Sequence, residues 1–593
     1  MQLTLNPRWD LDTLFPGGSE SEQFRAFVDY IKEEMKKLSV MVEQFEPQEE
    51  NYESEFVQIV HKLETTIKKL REASAFVSCL SAQNVKDEKA DILVGQRSAL
   101  SAKMGTITTK FEQKLIKIDE SKWKALLQLP DIRDIAFVLN ENRTEAKEKL
   151  SESQEVLIND LAVDGYHAWN QMYGAIVGNM TVEIEEEGER KQYSVGQASN
   201  KLTTPNREIR KHVFEQLSKA WEEQSTLFSQ TLNHLAGFRI ETYKHRGWEH
   251  VLKEPLAMNR MKKETLDAMW TAITNNKKHF VAYLNKKADL LGLEKLSIYD
   301  ISAPLSQTVK TSSYTEGATF IIDQFQQFSP KMADFAKMAF ENRWIEAEDR
   351  AGKRPGGFCT SFPDSEQTRI FMTYSGTSSN ISTLAHELGH AYHQHVMNDV
   401  NGLNQRYAMN VAETASTFAE MIVADASVKS AQTKAEKRSL LEDKIQRSVA
   451  FFMNIHARFL FETRFYEERK HGMVSAQRLN ELMVEAQKEA YCSSLDEYDP
   501  NFWSSKLHFH ITGVPFYNFP YTFGYLFSLG IYAYAKEKGG SFEDDYIALL
   551  RDTGRMTVEE LAQKHLNVDL TKADFWESAI GLCVEDVEEF LSL

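Results

Sequence analysis

Apolar residues recur along this chain at the spacing of helix faces. Phe24, Phe27, Ile31, Met35, Leu38, Val42 and Phe45 are three or four residues apart, and Phe56, Ile59, Leu63, Ile67 and Leu70 repeat the pattern. Each set places its apolar side chains on one stripe of a helix and predicts two amphipathic helices packed as neighbours. The same periodicity continues from about Lys86 to Lys117 and through the 140s to the 170s. A helical bundle is therefore expected for the first third. The stretch "MTVEIEEEGERKQYSV" departs from it. Val182 and Ile184 alternate with charges, Gly188 occupies the turn, and Tyr193 and Val195 follow, which predicts a solvent-exposed hairpin with the acidic run Glu185–Glu187 as a solvated turn. A domain boundary near residue 195 follows, giving 1–195 and 196–593. Helical pattern then resumes from about Asn206. Within "AGKRPGGFCTSFPDSEQTRIFMTYSGT", residues Thr368 to Tyr374 alternate like a strand. Such a strand could lie along a cleft and pair with an extended peptide.

Composition narrows the class. Gly 27 and Pro 13 in 593 residues are roughly half the usual share, which favours long helices, and 35 Phe can fill a large interior. The net charge of −18 repels phosphate backbones and anionic lipid, so neither nucleic acid nor a membrane is an expected partner. Cys79, Cys359, Cys492 and Cys583 show no paired spacing, which suggests a reducing compartment. The beginning "MQLTLNPRWDLDTLF" lacks the basic and apolar regions of a signal peptide, so a cytoplasmic setting is expected. Ile511 to Ala535 is uncharged, but Pro515, Asn518 and Pro520 interrupt it, and it reads as a buried wall, not a membrane span.

The stretch "TLAHELGHAYHQH" concentrates four histidines. His386 and His390 are four apart and leave one helix face about a turn apart. His393 is roughly another 4.5 Å along the axis, too far to join them, and His395 points to the opposite side. Glu387 follows its histidine directly and can face a metal-bound water without binding the metal. This is the His-Glu-x-x-His arrangement of zinc peptidases. Ile381, Leu384, Leu388 and Tyr392 supply the apolar helix face, and Ser379 or Asn380 can cap the start. A reactive zinc site needs a third protein ligand. The metzincin pattern is excluded, because His393 and Val396 stand where its glycine and third histidine belong. "NVAETASTFAEMIVADA" offers Glu413 and Glu420, seven apart on an apolar helix. Buried carboxylates need a partner or a cation, so Glu413 is the candidate ligand and Glu420 the candidate for orienting a histidine.

Together with "PFYNFPYTFGYLFSLG", and in this order, "TLAHELGHAYHQH" and "VAETASTFAE" resemble the oligoendopeptidase F branch of the thimet oligopeptidase (M3) metallopeptidases. The likeness extends through "RWDLDTLFPGG", "AWEEQ" and "GKRPGGFCTSF". The resemblance implies a mainly α, elongated, multi-helix zincin-like metallopeptidase. Its small β-sheet would lie at the active-site cleft, with residues 1–195 as an enclosing helical wall and 196–593 as the catalytic domain. It also implies one zinc per chain on His386, His390 and Glu413, with Glu387 as general base. The implied activity is endopeptidase cleavage of short unstructured oligopeptides, in which Glu387 activates the zinc-bound water. The family further places a histidine and tyrosines of the late aromatic segment near the substrate carbonyl. The spacing in "LHFHITGVPFYNFPYTFGY" differs from the His-Gly-Gly-Tyr of the thimet type. His508 and Tyr517 are the best equivalents, Tyr521 and Tyr525 substrate-side candidates, and His510 competes with His508. The reading from a different class is a helical peptide-binding scaffold whose zinc site is structural or lost. Glu387 argues against it, since a closed structural site has no use for a base.

Overall fold

A computed structural model describes residues 5–47, 52–186, 188–305, 311–539 and 542–593. The periodic stretches form α1 (Glu22–Gln44), α2 (Tyr52–Gln83) and α3 (Glu88–Ile116). Ser21 starts α1 by accepting the Phe24 N–H, and Asp87 does the same for Lys89 and Ala90 of α3. Their apolar stripes meet in one core that includes Phe24, Ile31, Phe56, Phe76 and Phe111. Each such side chain contributes roughly 1.5–3 kcal/mol on burial. The hairpin consists of β1 (Thr181–Glu186) and β2 (Glu189–Ser194), with Val182 opposite Tyr193 and Gly188 at φ +80° in the turn. It is solvated on one face only, because Val182 and Ile184 are buried in the second core. Glu187, part of the expected acidic turn, lies outside the described residues.

Three short strands lie between the two cores: β3 (Ile345–Glu346), β4 (Phe358–Phe362) and β5 (Gln367–Phe371). Their order is β3, β5, β4, with β3 parallel and β4 antiparallel to β5. The alternation along the third strand has a structural meaning: Ile370 and Met372 join the second core while Phe371 joins the first. The expectation that this strand could pair with a peptide is corrected here. β5 is central and both its edges are taken, and β3 is flanked by backbone bonds from Asp10 to Arg343 and from Ala347 to Pro7, so among the described residues the edge left for a guest strand belongs to β4.

The second core is built by α4 (Lys263–Leu291), α5 (Ser378–Val396), α6 (Met409–Ser430), α7 (Lys434–Val449), α8 (Phe519–Lys538) and α9 (Ala573–Ser592). The uncharged stretch from Ile511 runs into α8, whose Phe523, Leu526, Phe527 and Ile531 are fully buried. No described helix is long and apolar enough to cross a membrane.

Candidate metal centre

α5 begins one turn of chemistry earlier than the sequence suggests. Thr377 is the cap, its Oγ1 accepting the Asn380 N–H at 3.2 Å. Asn380 is already helical, and its Oδ1 accepts the Ser375 N–H at 2.8 Å. From this start His386 and His390 project to one side with ring centres 4.9 Å apart. His393 is separate from them: it is fully buried, stacked on Tyr407 at 4.2 Å, and 2.9 Å from Thr553 Oγ1. His395 is exposed and packs against Phe335.

The third donor arrives on α6 because two glycines let this helix approach its neighbours. A Cβ on Gly389 of α5 would stand 2.4 Å from the Ala415 carbonyl oxygen and 2.6 Å from Ser416 Cα. A Cβ on Gly524 of α8 would stand 2.8 Å from the Asn410 carbonyl oxygen and 2.9 Å from Glu413 Cβ. Glycine is the residue that permits such backbone contact. α6 is thus clamped between α5 and α8 at the level of Glu413. Glu413 Oε2 lies 3.3 Å from His386 Nε2 and 3.5 Å from His390 Nε2, and all three donor atoms fall within 4.8 Å of one another. Tetrahedral zinc with bonds of ~2.0–2.1 Å has donor separations of about 3.3 Å. The donor set of two imidazoles and one carboxylate therefore fits zinc in both type and spacing.

Surrounding groups fix these donors. His386 Nδ1 lies 3.4 Å from Glu420 Oε2 and donates to it in the tautomer that leaves Nε2 free for a metal. Arg447 pairs with the other Glu420 oxygen. The Ala412 carbonyl holds the His390 ring, and Ser416 Oγ donates to Glu413 Oε2 at 2.8 Å. Burial opposes charge on His386, but the Glu413 and Glu420 carboxylates outweigh it and raise the imidazole to about 10. Burial dominates at His390 and lowers it to about 4. Glu413 falls to about 2, because the two imidazoles and Ser416 overcome its burial. Positive charge is thus favoured at His386 and disfavoured at His390.

Glu387 behaves differently. It is buried, its Oε2 has no hydrogen-bond partner, and a Cβ on Gly357 would come within 3.6 Å of its Oε1. Burial raises it to about 7, the range of a group that can take and return a proton. It stands at the Gly357 end of β4.

The late aromatic candidates divide. His508 and Tyr517 have ring centres 5.4 Å apart, and Tyr517 and Tyr521 5.8 Å apart. All three are half-buried. Tyr521, one turn before Gly524, senses both the Tyr517 hydroxyl and the Glu413 charge. Of the three, Tyr521 is the one on α8 within reach of Glu413, and Tyr517 and His508 follow it as a chain of neighbouring rings. His510 and Tyr525 do not join them. His510 is fully buried, stacked on Tyr173 at 4.1 Å with Thr231 Oγ1 at 3.3 Å. The tight turn Leu507–Phe509 directs the two histidines into different environments. Tyr525 is one turn beyond Tyr521, but its hydroxyl lies 2.9 Å from Ser448 Oγ and its ring stacks on Phe451 at 4.5 Å. Both are core residues, which corrects their assignment to the substrate. Sequence reasoning missed Arg447, for which no local signal exists. It also passed over Gly389, whose position inside a helical motif was a signal of close backbone approach.

The model described as peptidase family M3 matches residues 200–582, and that for oligopeptidase F matches residues 114–181. The chain belongs to peptidase family M3. As a member it is a metalloendopeptidase. Among curated relatives, an oligoendopeptidase F homolog of Lactococcus lactis subsp. lactis is 25% identical over 100% of this chain and 98% of its own length. The oligopeptidase PepF of Bacillus subtilis is 21% identical over 83% of this chain and 74% of its own. Among solved structures, one from Chlamydophila abortus superposes with a TM-score of 0.85 at 17% identity, covering 100% of this chain and 99% of that one. Oligoendopeptidase-F from Enterococcus faecium gives 0.69 at 17%, covering 95% and 98%. At these identities the superpositions establish a shared fold.

Proposed function

We propose that this M3 peptidase is zinc-dependent and hydrolyses internal bonds of short unstructured peptides, with Glu387 as general base. The observation that carries the reading is the convergence of His386, His390 and Glu413 on one point beside a buried carboxylate with an unpartnered oxygen. These three residues would hold one zinc ion per chain. Bound there, zinc supplies a Lewis acid for the scissile carbonyl and acidifies water. The protein's own residues do the rest. An extended peptide adds to the β4 edge, which brings a carbonyl toward Glu387. Glu387 takes the proton of the attacking water on its unpartnered Oε2 and returns it to the leaving amine. His508 and the Tyr517 hydroxyl donate to the oxyanion, while Tyr521 flanks the substrate. Glu420 and Arg447 keep His386 in its tautomer. Residues 1–195 serve as a wall that limits access to flexible chains, and 196–593 carry the chemistry.

The acidic surface and four free cysteines support a cytoplasmic role in peptide turnover without nucleic-acid or membrane partners. The test is cleavage of a mixed peptide library with parallel metal analysis. One zinc per chain is expected, with internal cleavage that a chelator abolishes and added zinc restores. A zinc-loaded protein that binds peptides and cuts none would instead identify the scaffold reading as correct.

A further inference from the structure

Between α7 and α8 the protein places two cations that make no ion pair among the described residues. Lys506 Nζ lies 4.7 Å from the centre of the Phe502 ring, and the Arg458 guanidinium carbon lies 5.2 Å from the same centre. Arg458 is anchored by neutral partners, its Nε donating to Asn454 Oδ1 at 2.9 Å and Nη1 to Asn518 Oδ1 at 3.0 Å. Burial, then repulsion from Arg458, lowers Lys506 to about 8, and burial lowers Arg458 to about 10. Asp499 attracts Lys506 less strongly than Arg458 repels it, and Asp499 Oδ1 accepts the Asn501 N–H at 2.9 Å. A buried charge without a partner is costly. Asp499 is the one carboxylate among the residues lining the cavity with Lys506, and it makes no ion pair with either cation among the described residues.

The location gives the pair a role. Lys506 lines a cavity of about 300 Å³ that also includes Trp221, Asn454 and Phe502. This cavity shares Ser302, Gln446 and Ala450 with a second of about 350 Å³. The second reaches Ser382, one turn before His386, and Arg447, the partner of Glu420. On the other side, both cations act on His508 and Arg458 acts on Tyr521. Lys506 thus faces the cavity, and both cations lie within electrostatic reach of His508.

We propose that Lys506 and Arg458 form a subsite for a carboxylate of the bound peptide, contributed by its C-terminus or by an acidic side chain. The subsite anchors a peptide whose scissile bond lies at the metal centre, and it rests on the peptidase reading above. Charge-assisted hydrogen bonds give such an anchor both strength and direction.

The test compares kcat/KM for one short peptide in three forms: free acid, C-terminal amide, and amide with a Glu scanned through its neutral positions. The wild-type protein is expected to favour a carboxylate form by about tenfold or more, the scale of a hydrogen bond to a charged group. Lys506→Met should bring that ratio close to one, mainly through KM. Lys32→Met, which removes a lysine from an exposed pair with Asp29, should keep the wild-type ratio. Preference for the free acid assigns the terminal carboxylate, and preference for a Glu-containing amide assigns the side chain. Equal wild-type rates on all forms, or a preference that survives Lys506→Met, would overturn the subsite while leaving the peptidase reading intact. Equal wild-type rates on all forms would overturn the subsite even if the variant folds poorly. Failure of zinc-loaded wild type to cut any form would sink the peptidase reading, and the subsite with it.

Discussion

On α5, His386 and His390 reach one point because both leave the same face of an uninterrupted helix. In the segment from 507 to 525, residues just as close in sequence part company. His508 faces Tyr517 while His510 is buried against Tyr173, and Tyr521 senses Glu413 while Tyr525 bonds to Ser448. The difference lies in the backbone. A regular helix converts spacing into direction by a fixed rotation, whereas the turns between Leu507 and Asn518 follow no period. Even on α8, where the period returns, adjacent turns meet different neighbours: Tyr521 is half-buried beside Tyr517 and Tyr525 is covered by α7 and α9. Residue type and spacing therefore locate the candidate donors on α5, but in the late segment only the environment separates the candidates.

The comparison can be broken most decisively at Glu387. If α5 supplies base and ligands as separate parts, Glu387→Gln should leave zinc near one per chain while cleavage falls about 10²–10⁴-fold, the usual worth of a general base. Metal analysis beside a peptide assay reads both, and parallel loss of zinc and activity would assign Glu387 to the ligands.

Tyr517→Phe probes the less regular side. Loss of one oxyanion donor typically lowers kcat about 10²–10³-fold, with KM, zinc content and thermal stability near wild type. An unchanged kcat would return Tyr517 to the aromatic core and pass the role to Tyr521.

A smaller effect tests how α5 and α6 are held together. Gly389→Ala places a methyl against the Ala415 carbonyl, and overpacking of this kind costs about 1–3 kcal/mol. Urea unfolding of the zinc-free protein should show that loss, and zinc competition should show weaker binding as Glu413 moves away. Wild-type stability and affinity together would mean that close approach of the helices does not set the site.

The smallest effect is expected at Tyr525. Tyr525→Phe removes the hydroxyl that meets Ser448 and should lower stability by about 0.5–1.5 kcal/mol while kcat stays within about twofold. A loss of kcat comparable to that of Tyr517→Phe would erase the distinction between the two tyrosines.

By itself the sequence determined the helical class, the first bundle, the hairpin, and the His-Glu-x-x-His motif on its helix. Each is local: a period of 3.6 or 2, or a motif within one helix turn, survives in any surroundings that allow the element to form. Glu413 and Glu420 were legible for a related reason, since charged residues on an apolar helix face require a partner wherever that face packs. Tertiary structure alone decided which edge of the sheet is free, because β5 acquires both its neighbours from distant segments. It also decided that Thr377 caps α5 and that Arg447 steadies Glu420. The separation of His508 from His510, and of Tyr521 from Tyr525, was decided there too. These outcomes depend on which surfaces meet, and long-range contacts are set by the packing of the whole chain, not by the spacing of neighbours within it.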